Sequence, residues 1–237
     1  MTHSDLGGER GKEVDIGRAF SYIFEDQDWL SKLIIVVILA FFSAIPLLGL
    51  VAVAALLGYL LDLIRNMRAN HPNPLPQWDN IGERITEGFT VLIAAIVYAI
   101  PSLAVSACAF LTNNFLHNSF LPLAITCCTL PFLIAYGILV LPMLAVGVAR
   151  YLDSGESAEF YRFGELFGVV RENMNVTVQW FILAFIVNLI LGLVAIIPCC
   201  GWIAVMGLAY PVQGHLLGQY VLELGGKAKR KRDGFYY

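Results

Sequence analysis

The residues able to do chemistry are few and mostly uncharged. Five cysteines, Cys108, Cys127, Cys128, Cys199 and Cys200, could hold a metal ion or form a disulfide. No Cys-x-x-Cys spacing occurs, neighbouring cysteines chelate one tetrahedral ion poorly, and a thiol in an apolar run packs as a small hydrophobe. Packing is the better reading, and no metal is expected. Asn188, Gln213, His215 and Gln219 interrupt otherwise apolar stretches. Polar groups inside a membrane segment point to a proton or solute path, or to hydrogen bonds between helices, which uncharged amides commonly make. Asp62 and Arg65, three apart, share a helix face and read as an ion pair. His71 and His117 lie in loops without a ligand set around them. The chain has no Gly-x-Ser-x-Gly, no His-Glu-x-x-His, no phosphate-binding glycine loop and no pair of membrane aspartates. No catalytic residue and no cofactor is assigned.

The elements that would position these groups are apolar helices. Of 237 residues, 58% are hydrophobic and 14% charged, with mean hydropathy +0.72. So few charges cannot cover a soluble domain of this length, whereas long uncharged runs suit transmembrane helices. The net charge of -3 offers no basic field for nucleic acid. The first 29 residues mix both signs of charge, unlike a signal peptide, so the first apolar run is expected to stay as an anchor.

The stretch from Gly58 to Phe89 organises the rest. It carries Arg65, Arg68 and Arg84, the proline-broken run NHPNPLP, and Trp78, suited to the headgroup level. Six spans are expected: about Leu30–Ile45, Leu48–Ile64, Gly88–Leu111, Phe120–Val148, Val176–Ile197 and Gly201–Leu222. Pro122, Pro131 and Pro142 should bend the fourth. Reversals are expected at Ile45-Pro46-Leu47-Leu48-Gly49 and Ile197-Pro198-Cys199-Cys200-Gly201, and a polar loop TNNFLHNS between spans three and four.

Before spans one, three and five lies an amphipathic stripe: Ile16, Ala19, Phe20, Ile23 and Phe24; then Ile81, Ile85 and Phe89; then Phe163, Leu166, Phe167 and Val170. Asp15-Ile16-Gly17-Arg18, Asn80-Ile81-Gly82-Glu83 and Arg162-Phe163-Gly164-Glu165 start them alike. The expected fold is therefore an all-α integral membrane protein of six transmembrane helices in three hairpins, each preceded by an interfacial helix. The repeated units are about 14–68, 78–150 and 160–223, within one transmembrane domain over 14–223. Residues 1–13 are expected to be flexible and 224–237 to form a polybasic tail.

All 15 basic residues precede or open span one, lie in the two connectors, or lie in the tail. The positive-inside rule makes that side cytoplasmic, with both termini inside the cell membrane. Lys227, Lys229, Arg230, Lys231 and Arg232 could also contact anionic lipid headgroups. The lipid bilayer is the expected partner; a protein partner is not specified, and nucleic acid is not expected.

The connector residues PLPQWDN, GERITEGF and VYAIP resemble an uncharacterised multi-pass membrane family, domain-of-unknown-function family 4013. That family's pattern falls on Leu75, Pro76, Trp78, Asn80, Gly88, Phe89, Tyr98, Ile100 and Pro101, and Gly58-Tyr59 and Trp29-x-x-Lys32 fit as well. The resemblance reaches to about Glu223. It implies a multi-pass membrane protein and no particular activity. The expected function is a non-enzymatic scaffold or partner subunit. The rivals are a small transporter or channel, suggested by the repeat and the polar residues, and a lipid-modifying membrane enzyme, which would need clustered polar groups at one headgroup level.

Overall fold

A computed structural model describes residues 15–115, 120–198 and 200–232, with residues 113, 121, 122 and 226–232 by backbone alone. The described residues form eight α-helices and one 3-10 turn, with no strand: α1 Ile16–Glu25, α2 Trp29–Phe42, α3 Leu48–Arg68, α4 Ile81–Phe115, α5 Leu121–Ser154, the turn Ser157–Tyr161, α6 Phe163–Glu172, α7 Met174–Ala195 and α8 Cys200–Arg232. Residues 1–13, His117, Cys199, Phe235, Tyr236 and Tyr237 lie outside the described residues.

Among the described residues, four helices are long and apolar enough to cross a membrane: α3, α4 over Ile81–Thr112, α5 over Leu123–Ser154, and α7. Their outward faces are strongly apolar. Ile182, Phe185, Leu189 and Leu193 on α7 are each more than half exposed, a surface that water would not tolerate. The 14 residues of α2 reach about 21 Å, short of a ~30 Å hydrocarbon core. In α8 the apolar run is interrupted by Gln213, His215 and Gln219.

The chain divides into two compact units. One holds α1, α2, the last turns of α3, the connector to Trp78, and α7 and α8. Here α7 packs along α8, and α1 lies against α8. Ile23, Val36, Ile64, Leu216 and Tyr220 are buried. The other unit holds the first part of α3, α4, α5, the 3-10 turn and α6. Here α4 packs on α5, and α5 carries the turn and α6.

Helix breaks stand at both places where a reversal is expected, and the two turns are built alike. At the first, Ile45 N donates to Phe42 O, Leu48 N to Pro46 O and Gly49 N to Ile45 O; at the second, Ile197 N donates to Val194 O, Cys200 N to Pro198 O and Gly201 N to Ile197 O. Each bond recurs 152 residues later. In both, a side chain on the glycine would strike a carbonyl of the preceding segment, Ser43 for Gly49 and Val194 for Gly201. Proline ends one helix, and glycine lets the next begin against it.

Of the three helices expected before spans one, three and five, two are separate. α1 is separate, ended at Asp26, whose Oδ1 accepts from Asp28 N at 2.8 Å. α6 is separate, broken from α7 at Asn173. The middle one is not: Ile81, Ile85 and Phe89 are the first turns of α4, which runs unbroken for 35 residues. No proline or capping residue interrupts it before Pro101, so nothing stops propagation, and at about 52 Å it is far longer than a bilayer core. The loop TNNFLHNS is shorter than expected, since α4 continues to Phe115. α5 likewise continues through Pro131 and Pro142. α8 persists to Arg232, so residues 224–232 of the expected tail continue that helix.

Candidate functional site: a polar pocket under the proline-rich connector

Where α3 ends, Asn70 takes a left-handed conformation, φ 53°, that short polar side chains tolerate. Asn70 N then donates to Met67 O and His71 N to Asn66 O, which closes the helix. The following prolines lack N–H groups, so they donate no backbone hydrogen bonds to hold their stretch in place. Side chains capture their stretch instead. Asn66 Nδ2 donates to Pro74 O at 3.0 Å, and Lys32 Nζ to Leu75 O at 3.2 Å. Trp78 Nε1 donates back to Lys32 O at 3.2 Å. Pro74, Leu75 and Pro76 are buried as a result.

Lys32 is the centre of this arrangement. Its ammonium lies 2.6 Å from Asp26 Oδ2, with side chains only 10% and 5% exposed. A buried charge is tolerable only when paired and hydrogen-bonded, and here it is both. Above the pair is a cavity of about 320 Å³ lined by Asp26, Gln27, Asp28, Lys32, Asn66, His71, Asn73, Leu75 and Gln77. Sequence reasoning missed this site. Its one signal was Lys32, a lone cation in an apolar run, and Trp29-x-x-Lys32 was noted only as a fit to the family.

In the same unit, Gln219 clamps the start of α1. Asp15 N donates to Gln219 Oε1 at 2.6 Å, and Gln219 Nε2 to Asp15 O at 3.1 Å. His215 Nδ1 lies 2.9 Å from Gln219 Nε2, and its ring stacks on Tyr22 at 4.4 Å. Tyr22 in turn donates to Pro211 O. Asn188 is exposed and donates to Ala184 O on its own helix. Gln213 Nε2 and Trp180 Nε1 are buried and meet no hydrogen-bond partner among the described residues. So His215 and Gln219 come together, on α1, and Asn188 turns to its own backbone. Asp62 and Arg65 do pair, at 3.2 Å.

In the second unit the family positions serve packing. A side chain on Gly88 would meet Ala54 O, and one on Gly58 would meet Arg84 O. The two glycines thus let α3 and α4 cross backbone to backbone, the small-residue device of membrane helices. Tyr59 is fully buried, Phe89 half-buried, and Pro101 exposed within α4. Tyr98 Oη donates to Phe160 O at 2.8 Å, and Tyr136 Oη to Tyr98 O at 2.8 Å. In the last turns of α5, Arg150 bonds Glu165 at 2.7 Å and lies 3.4 Å from Glu159, which also pairs with Arg162. The Arg150 hydrogen bond holds the Glu165 carboxyl below the usual range.

Among the described residues, Cys108, Cys127, Cys128 and Cys200 are exposed thiols without a disulfide. No group of three or more His, Cys, Asp or Glu converges on a metal-sized site among the described residues. The polybasic positions from Lys227 to Arg232 lie on the last turns of α8, described by backbone alone.

Among the described residues, eight helices, four of them long and apolar enough to cross a membrane, define a multi-pass membrane protein. The chain belongs to the family described as protein of unknown function (DUF4013), which matches residues 38–200. That match spans Gly58 to Pro101 and the pocket's connector, and begins after Asp26 and Lys32. No curated protein and no solved structure matches the chain.

Proposed function

We propose that this is a six-span protein of the cell membrane, three hairpins with both termini cytoplasmic, acting as a non-enzymatic scaffold or partner subunit. α2 and α8 supply the two spans beyond the four long apolar helices, and the one-sided basic residues supply the orientation. The observation that carries the scaffold reading is where the polar groups turn. Tyr98, Tyr136, Asn188, His215 and Gln219 are each engaged by a backbone or a neighbouring side chain. Groups spent on internal packing hold helices together and leave outward apolar faces for lipid or another subunit. In situ cross-linking followed by affinity purification from native membranes tests this. A stoichiometric partner is expected; recovery of the protein alone would remove the scaffold reading.

A small transporter is the second reading, favoured by Gln213 Nε2 and Trp180 Nε1, buried donors suited to passing water or solute. Gln213→Leu discriminates: it would abolish flux in reconstituted vesicles, but leave partner recovery unchanged.

A further inference from the structure

The pocket beneath the connector has a composition that selects a ligand class. Its floor is Lys32, Asp26 and Leu75, each at least nine-tenths buried; its rim includes Asp28, Asn73 and His71, all exposed. At about 320 Å³ it falls at the small end of ligand sites, which run from about 300 to 1,000 Å³. Lys32 Nζ has three donors, of which two go to Asp26 and Leu75 O, so one remains for the cavity it lines. Each Asp26 oxygen accepts one bond and keeps a further lone pair.

The charges argue against an ion. An anion would meet Asp26 at the floor and Asp28 at the rim. A cation drawn by Asp28 would be held at the exposed rim, since at the floor it would meet the Lys32 ammonium and a carboxylate that lysine already neutralises. A phosphate-ammonium zwitterion would set its phosphate beside Asp26, 2.6 Å from the only lysine there. A neutral group with many hydroxyls meets no repulsion. Its hydroxyls donate to the carboxylates and amide oxygens and accept from Lys32 and the amide N–H groups. Leu75 offers an apolar patch for its C–H face.

We propose that this pocket binds one uncharged, hydroxyl-rich ring, a sugar or cyclic polyol, either free or as the headgroup of a glycolipid. The lipid form rests on the membrane placement proposed above; the free form does not.

The test uses the full chain, purified in a sugar-free amphiphile. One arm titrates methyl glucoside and myo-inositol in solution. The other reconstitutes the protein into nanodiscs containing glucosyl diacylglycerol, phosphatidylglycerol or phosphatidylethanolamine and measures retained lipid by native mass spectrometry. Saturable binding of a soluble polyol, or preferential retention of the glucosyl lipid, is expected. Asp28→Ala and Asn73→Ala, at exposed rim positions, should each weaken it about fivefold, as for one lost hydrogen bond. Equal or better retention of the anionic or zwitterionic lipid overturns the proposal, as does no binding in either arm, or binding that neither variant weakens. Failure to enter nanodiscs would sink the membrane placement alone, and the soluble arm would still decide the pocket's ligand.

Discussion

Trp78 Nε1 donates to the carbonyl oxygen of Lys32 at 3.2 Å, while the same lysine's ammonium donates to Leu75 O three residues before the tryptophan. The connector is thereby tied to α2 at two points by one residue. The Leu75-Pro76-x-Trp78 run and Trp29-x-x-Lys32, which read separately in the sequence, are two halves of one contact.

That contact depends on a buried ion pair, so breaking it should be costly. Lys32→Met leaves Asp26 buried and unpaired, and should lower stability by about 3–5 kcal/mol. The double variant Asp26→Asn with Lys32→Met should recover much of this loss. Thermal unfolding of the reconstituted protein, followed by tryptophan fluorescence, checks both, and equal loss in single and double variants would contradict the pairing.

Gly88→Leu should destabilise the α3–α4 crossing by about 1–3 kcal/mol or more, because the added side chain strikes the Ala54 carbonyl. Gly82→Ala, with open space around it, should be neutral or stabilise by about 0.5–1 kcal/mol through helix propensity. Size-exclusion survival after heating separates the two.

Glu165 predicts an acid response at α6. Its folded-state value is below the ordinary 4.5, chiefly through the Arg150 hydrogen bond. A depressed carboxyl contributes stability above its unfolded value and loses it as pH falls through the folded one. Protection of α6 amides, corrected for intrinsic exchange, should therefore hold at pH above 4.5 and fall below it. Glu165→Gln should weaken protection at neutral pH and flatten the response.

Reporter fusions at Met1 and Tyr237 should both report a cytoplasmic location. An outside signal at one end would mean an odd number of spans, with α2 the first to reassign.

A peptide of residues 223 to 237 should bind anionic vesicles and detach as salt rises, at up to about 1 kcal/mol per basic residue. Binding to neutral vesicles of equal strength would leave those five residues a topological role only.

The apolar runs and the breaks at Pro46 and Pro198 were legible in the sequence, because proline, glycine and hydropathy act locally, while α3 runs four residues past the expected Ile64. Ile81 to Phe89 was misread because an amphipathic stripe looks the same on a separate helix as on the exposed start of a long one. Only the absence of a break distinguishes them, and that depends on Gly88 being held in a helix crossing rather than released as a hinge. Nor did local pattern reveal that Asp26 and Lys32 are buried together, or that Gln219 bonds Asp15 across 204 residues. The second joins segments distant in the chain, and the first, though its partners are six residues apart, is closed over by Leu75, 43 residues on. Their energy comes from desolvated partners meeting, and tertiary structure decides which partners meet.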